Sequence, residues 1–184
     1  MSLTETPVCN FGEKAKNFEL LSTENKKISL DNVKGKNGTL IMFICNHCPY
    51  VKAVIKDIAK DAKYLETLGV KSVAIMSNDV KNYPEDSFKN MIFFSKTHNF
   101  SFPYLIDETQ KVAKEFGAVC TPDFFGYNKN LELQYRGRIR ELKNLKPVGK
   151  GDGDLNVAMK LIATSERGPK IQIPSMGCNI KWFK

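Results

Sequence analysis

Thr39-Leu40-Ile41-Met42-Phe43-Ile44 runs straight into Cys45-Asn46-His47-Cys48-Pro49-Tyr50-Val51, and the reading of the whole chain turns on that join. Thr39 to Ile44 is a continuous apolar run following the Gly35-Lys36-Asn37-Gly38 loop. Its length and β-branched content predict a central strand buried on both faces. Val51, Val54, Ile55, Ile58, Ala62 and Leu65 then recur at the three-and-four spacing of an amphipathic helix. Pro49 falls in the first turn, where a missing N–H costs nothing, and Gly69 closes the element. Val70 to Met76 predicts a second apolar strand. Strand, helix and strand in so short a stretch make a βαβ unit with parallel strands and a right-handed crossover. The two cysteines therefore lie where a strand ends and a helix begins.

Outward from this unit, Phe18 to Leu20 and Ile28 to Leu30 flank the polar Thr23-Glu24-Asn25 turn and read as a hairpin. Ser77-Asn78-Asp79 ends the second strand, and Tyr83-Pro84-Glu85 leads into a helix carrying Phe88, Met91, Ile92 and Ser95. Tyr104 to Ile106 is a short strand. Asp107 and Gln110 form a capping-box pattern ahead of a helix that ends at Gly117. Asp123 to Tyr127 and Leu131 to Gly137 alternate around Asn128-Lys129-Asn130 as an antiparallel hairpin does. After Gly149, Gly151 and Gly153, Asp154 reads as the cap of a last helix with Leu155, Met159 and Ile162, stopped by Gly168-Pro169. Residues 170–184 are irregular, yet Ile173, Met176, Ile180, Trp182 and Phe183 predict a tail packed back onto the rest. Residues 1–184 thus read as a single α/β domain with a mixed central sheet flanked by helices.

Cys-x-x-Cys between a buried strand and a helix start is the strongest chemical signal. Unpaired backbone N–H groups and the positive helix end favour an anion there, and the thiolate is the nucleophilic form of cysteine. The spacing lets a second thiol attack a mixed disulfide or sulfenic acid formed on the first. His47 and Lys52 are near enough in sequence to add positive charge. The same Cys45, His47 and Cys48 are soft metal ligands, and Cys178 or Cys120 would complete a tetrahedron. No second Cys-x-x-Cys or His-x-x-x-His follows at zinc-site spacing, so redox work is the preferred reading and no metal or organic cofactor is expected. A metal-binding module and a non-catalytic domain are the alternatives.

The Cys45-Asn46-His47-Cys48-Pro49-Tyr50-Val51 stretch resembles the active-site turn of the thioredoxin superfamily, and Val119-Cys120-Thr121-Pro122-Asp123 resembles its cis-proline loop. The N-terminal hairpin, the α-β insertion from Ser77 to Gly117 and the Cys48-Pro49 pair resemble the peroxiredoxin (AhpC/TSA) branch. The resemblance implies a thioredoxin-like fold and a thiol–disulfide or peroxide oxidoreductase with Cys45 and Cys48 catalytic. His47, Pro49, Thr121 and Pro122 would face the substrate, Pro122 would be cis, and the Thr121 backbone would pair with an extended substrate segment. On the thioredoxin pattern Cys45 is exposed and attacks while Cys48 resolves; the peroxiredoxin pattern reverses them. The peroxiredoxin Pro-x-x-x-Thr-x-x-Cys, aligned on Cys48, puts Ile41 at the proline and Cys45 at the threonine. A reductant such as thioredoxin or a small thiol is implied, with a peroxide or disulfide as oxidant.

The other candidates have plainer readings. Cys120 reads as a buried structural thiol and Cys9 as incidental. Cys178 reads as a packed cysteine, or as a later resolving thiol if the tail folds over the site. Asp123 reads as a strand-edge carboxylate, His98 as a helix-end residue and Trp182 as a tail anchor. Net charge is +8, but the lysines are dispersed and only Arg136, Arg138 and Arg140 group, alternating so as to share one strand face. Solvated basic side chains, not a nucleic-acid surface, follow from that. The longest apolar run is too short to span a bilayer. Five cysteines leave an odd thiol, which suits a reducing compartment and a cytoplasmic location. Assembly into a homo-oligomer stays open.

Overall fold

The computed structural model describes residues 3–184. A short strand β1 (Leu3–Glu5), the hairpin strands β2 (Glu19–Ser22) and β3 (Lys27–Ser29), and a one-turn helix α1 (Leu30–Val33) precede the central strand β4 (Gly38–Phe43). Helix α2 (Pro49–Thr67) crosses to β5 (Val70–Met76). A 3-10 turn (Pro84–Asp86), α3 (Phe88–Thr97), β6 (Tyr104–Ile106) and α4 (Lys111–Phe116) form the inserted stretch. Then come β7 (Cys120–Thr121), β8 (Asp123–Tyr127), β9 (Leu133–Arg136) and the small hairpin β10 (Leu142–Lys143)–β11 (Lys146–Pro147). Helix α5 (Asp154–Ser165) and β12 (Met176–Asn179) finish the chain.

The main sheet runs β3-β2-β6-β5-β4-β8-β9, with β4 parallel to β5 and antiparallel to β8. Alternation along β4 divides the core. Leu40, Met42 and Ile44 pack with the apolar faces of α2 and α5, while Ile41 and Phe43 pack with α1 and α4 on the other side. Every residue of β4 is buried, as a strand covered on both faces requires. Each large aliphatic side chain buried there stabilises the fold by about 1.5–3 kcal/mol. Pro49 is the first residue of α2, as the sequence predicts, and Gly69 beyond its end holds φ +76°.

Several local readings change. Leu30 begins α1 instead of ending a strand, because Ser29 and Asn32 close a capping box there. Asp107 and Gln110 do not cap α4 as a pair. Gln110 has φ +61°, and its side chain turns inward; Asp107 accepts the Ala113 N–H and the Ser77 hydroxyl. Leu131 has φ +59° and belongs to the turn, so β9 starts at Leu133. Gly153 is the N-cap of α5, and Asp154 lies inside its first turn, where it accepts a hydrogen bond from Arg138 Nε. Glu166, at φ +63°, ends α5 ahead of Gly168. The tail is not irregular throughout: β12 is the middle strand of a second sheet, β1-β12-β7.

Candidate active site

Three anchors hold the Cys45–Cys48 loop between β4 and α2. The Asp86 carboxylate, fully buried in the 3-10 turn, accepts the backbone N–H of Asn46 at 2.8 Å and of His47 at 3.3 Å. Its second oxygen accepts His47 Nδ1 at 2.7 Å and Asn78 Nδ2 at 2.8 Å. Tyr104 donates its hydroxyl to Asn46 Oδ1 at 3.0 Å, and Asn46 donates in turn to the Glu85 carbonyl. The sequence offered no sign of Asp86. It reads there as the lead-in to α3, and only the fold brings it under the loop.

Neither cysteine is exposed: Cys45 is 1% and Cys48 0% accessible. The expected exposed Cys45 is therefore absent, because the tail and the Asp86 turn cover both thiols. Cys45 Sγ lies 3.4 Å from Thr121 Oγ1 and 3.9 Å from His47 Nδ1. Cys48, the N-cap of α2, has its Sγ 3.1 Å from the Thr121 carbonyl and 3.0 Å from Cys178 Sγ. Burial pushes the Cys45 thiol well above its ordinary range, helped by its hydrogen bond to Cys48 and the Asp86 charge. Cys48 moves the other way. Hydrogen bonding from Cys45 lowers it most, joined by Cys178 and by the Val51 N–H at the start of α2, against the cost of burial. The Thr121 carbonyl opposes this by accepting the Cys48 S–H. We take Cys48 as the more acidic of the two. The His47 imidazole is raised by its bond to Asp86, which favours its protonated form beside Cys45.

The Thr121–Pro122 peptide is cis and lies against the dithiol, where the resemblance puts it. The backbone of Thr121 is not open to an extended substrate, however. Antiparallel pairing sets Cys178 opposite Thr121 and Asn179 opposite Cys120. Ser175 donates to the Pro122 carbonyl at 2.7 Å, so the chain's own tail fills that place. Thr121 and Pro122 are buried, while Pro49 and His47 are partly exposed. A cleft of about 410 Å³ on the tail side is lined by Tyr50, Pro122, Arg138 and Met176, and a groove of about 540 Å³ opens beside Asn46, His47, Lys52 and Phe93.

The remaining candidates resolve into structure. Cys120 is fully buried, and desolvation raises its thiol. Cys9 is half-buried. Asp123 is no edge carboxylate: it is buried against Arg136, with Nη2 at 2.9 Å from Oδ2, and accepts the Val119 N–H. Arg136, Arg138 and Arg140 do not share a face. Only Arg136 is in β9, while Arg138 pairs with Asp154 and Arg140 with Asp57. The His98 ring rests on Phe94, 4.5 Å between centroids, and Trp182 receives Lys114 over its ring. Cys45 Sγ, a His47 ring nitrogen and an Asp86 oxygen lie within 4.8 Å of one another, a set able to meet a cation. Both Asp86 oxygens already accept hydrogen bonds that fix the loop. Among the described residues no helix is long and apolar enough to cross a membrane.

The thiol-disulfide oxidoreductase ResA of Bacillus thuringiensis subsp. konkukian is 27% identical over 147 residues, covering 76% of this chain and 73% of that protein. An uncharacterized conserved protein from Geobacillus kaustophilus has a crystal structure that superimposes with a TM-score of 0.94 at 38% identity, covering 100% of this chain and 97% of that one. A thiol:disulfide interchange protein of the thioredoxin family from Chlorobium tepidum TLS shares the fold at 18% identity, with a TM-score of 0.62 over 83% of this chain and 97% of that one. With the dithiol at a strand-to-helix junction, these likenesses define a thiol-dependent oxidoreductase of thioredoxin-like fold. The chain belongs to the AhpC/TSA family, whose profile matches residues 11–142.

Proposed function

We propose that the protein catalyses thiol–disulfide exchange by cycling between the Cys45/Cys48 dithiol and its disulfide. One observation carries the reading: Cys48 is the N-cap residue of α2, at the positive end of the helix, and Cys45 precedes it in the same loop. The positive end of a helix favours an anion, and the thiolate is the attacking form. Cys48 attacks one sulfur of a disulfide substrate and expels the other as a thiolate. Cys45 then attacks Cys48 Sγ in this mixed disulfide: the Cys45–Cys48 bond forms, the bond from Cys48 to the retained substrate sulfur breaks, and that sulfur leaves as a second thiolate that takes up the Cys45 proton. A thiol reductant such as thioredoxin or a small thiol opens it again. His47, whose protonated form Asp86 favours, would when protonated stabilise negative charge on Cys45 as that bond breaks. The name of the ResA relative supports this class of substrate.

A peroxide is the second oxidant to consider, supported by family membership and by Pro49 directly after Cys48. Cys48 would become a sulfenic acid, and Cys45 would displace water to give the same disulfide. A reducing compartment, the cytoplasm, suits a resting dithiol. The test is to treat reduced protein with one equivalent of glutathione disulfide or of hydrogen peroxide, alkylate, and map peptides. A Cys45–Cys48 link reversed by dithiothreitol is expected with the first, and Cys48→Ser should lose nearly all of the reaction. The reading fails if both cysteines remain alkylatable, or if Cys48→Ser reacts as the parent does.

A further inference from the structure

The tail brings a third sulfur to the site. In β12, Cys178 stands opposite Thr121, and cross-strand partners in antiparallel sheets present their side chains to the same face. Here that face is the dithiol: Thr121 Oγ1 meets Cys45 Sγ at 3.4 Å and Cys178 Sγ meets Cys48 Sγ at 3.0 Å. A disulfide bond is about 2.05 Å long, so closure asks for about 1 Å of travel between the two sulfurs. The preceding residue permits this approach. A Cβ on Gly177 would lie 2.0 Å from the Thr121 carbonyl oxygen, so any larger residue would push β12 off β7. On its far side β12 is held by β1, and beyond it Lys181 accepts the Asp79 N–H and donates its own N–H to Asn78 Oδ1. Asn78 also donates to Asp86, so one side chain ties the tail to the carboxylate that anchors the dithiol loop.

We propose that Cys178 is a further catalytic residue, a relay thiol that takes over the disulfide from Cys45. The step rests on the dithiol reading above. Once the Cys45–Cys48 bond has formed, the Cys178 thiolate attacks Cys48 Sγ in place of Cys45. The Cys48–Cys178 bond forms, the Cys45–Cys48 bond breaks, and Cys45 leaves as a thiolate that takes up the proton Cys178 gave up. No electrons are gained or lost; the oxidant is the disulfide substrate that made the first bond. Cys48 is thus the sulfur common to both disulfides, and the oxidised protein holds its tail covalently in one of its two forms.

The test uses the full chain with Cys45→Ser, which removes the first resolving thiol. Reacted with glutathione disulfide, this variant should lose its glutathione from Cys48 and end as a Cys48–Cys178 disulfide, seen by intact mass and peptide mapping. Adding Cys178→Ser should leave glutathione bound to Cys48, with release slowed about a hundredfold or more, because a neighbouring thiol acts at a high effective concentration. The unsubstituted protein, oxidised in the same way, should yield both Cys45–Cys48 and Cys48–Cys178 peptides, and it serves as the measurement should a variant fold poorly. The relay is refuted if Cys45→Ser keeps glutathione on Cys48 while Cys178 alkylates, or if oxidised parent protein contains the Cys45–Cys48 link alone. If Cys48 takes up no glutathione in any form of the protein, the dithiol reading itself falls, and the relay with it.

Discussion

Gln110 is expected to set how often the tail opens. Its side chain is fully buried and makes three bonds: Nε2 donates to the Ser77 and Lys181 carbonyls, each at 2.8 Å, and Oε1 accepts the Phe183 N–H at 2.9 Å. Two of those bonds hold the tail. Gln110→Gly deletes them without straining the backbone, since φ is +61° there and glycine tolerates that region best. A buried polar group left without its partner costs about 1–3 kcal/mol. Losing the two tail bonds therefore weakens tail docking by about 2–4 kcal/mol, the upper end limited because a tail that opens regains water. At about 1.4 kcal/mol per factor of ten, the open population rises about 30- to 700-fold. Both active thiols are closed off in the docked state, so alkylation of Cys48 and Cys178 should accelerate by that factor. Site-resolved alkylation with mass spectrometry reads it, with free glutathione in the same reaction as the reference thiol. An increase below about threefold in a variant with an intact circular dichroism spectrum corresponds to less than about 0.7 kcal/mol and would refute the argument.

Arg136→Leu should cost about 3–5 kcal/mol in urea denaturation, because Asp123 keeps a buried charge without its partner. Arg136→Leu combined with Asp123→Leu should recover most of that loss, and a single variant as stable as the parent contradicts the buried pair. NMR titration should place the His47 midpoint above its ordinary 6.5, and Asp86→Asn, which keeps an acceptor for the loop N–H groups, should bring it down. A raised native pKa gives stability that is complete below 6.5 and is lost as pH climbs through the native value, so the unfolding free energy should fall from pH 6.5 upward in the parent and flatten in Asp86→Asn. Protein purified without added metal should carry far less than one equivalent of zinc and keep its fold in chelator; stoichiometric zinc whose removal frees the thiols to react would show that Cys45, His47 and Asp86 serve as ligands.

What the sequence reveals about this fold is what repeats locally. The run from Thr39 to Ile44 and the helix face from Val51 to Leu65 each carry a period that survives into β4 and α2. The readings that change are those where tertiary partners outweigh a local pattern. Gln110 has the spacing of a capping residue, yet three backbone groups, one just beyond β5 and two in the tail, compete for its amide and win. Asp154 looks like a cap because it precedes an apolar period, but Gly153 supplies the extended backbone and Asp154 is drawn to Arg138. The strand β12 has almost no signature of its own, since Met176-Gly177-Cys178-Asn179 neither alternates nor is rich in β-branched residues. It is a strand only because β1 and β7 lie on either side of it.

The site divides along the same line. Cys45, His47, Cys48 and Pro49 are contiguous, so their chemistry is legible from spacing, and the Thr121-Pro122 pair carries its own recognisable loop. Asp86 and Cys178 are not legible in that way. Each is an ordinary residue in its own segment, and each acquires a role through a contact separated by a long stretch of chain: 39 positions from His47 to Asp86 and 130 from Cys48 to Cys178. Such contacts also bear on which thiol is the more acidic. From the Cys-x-x-Cys spacing alone, either cysteine can attack first. Burial, the hydrogen bond with Cys48 and the Asp86 charge raise Cys45, while the hydrogen bond with Cys45, then Cys178 and the Val51 N–H, lower Cys48, so the surroundings add to a difference the two thiols impose on each other. In the mechanism proposed above, the order of attack therefore depends on the tertiary fold as well as on the motif. A variant that detaches the tail while leaving Cys45 to Cys48 unchanged alters the donors around Cys48, and with them the difference between the two sulfurs.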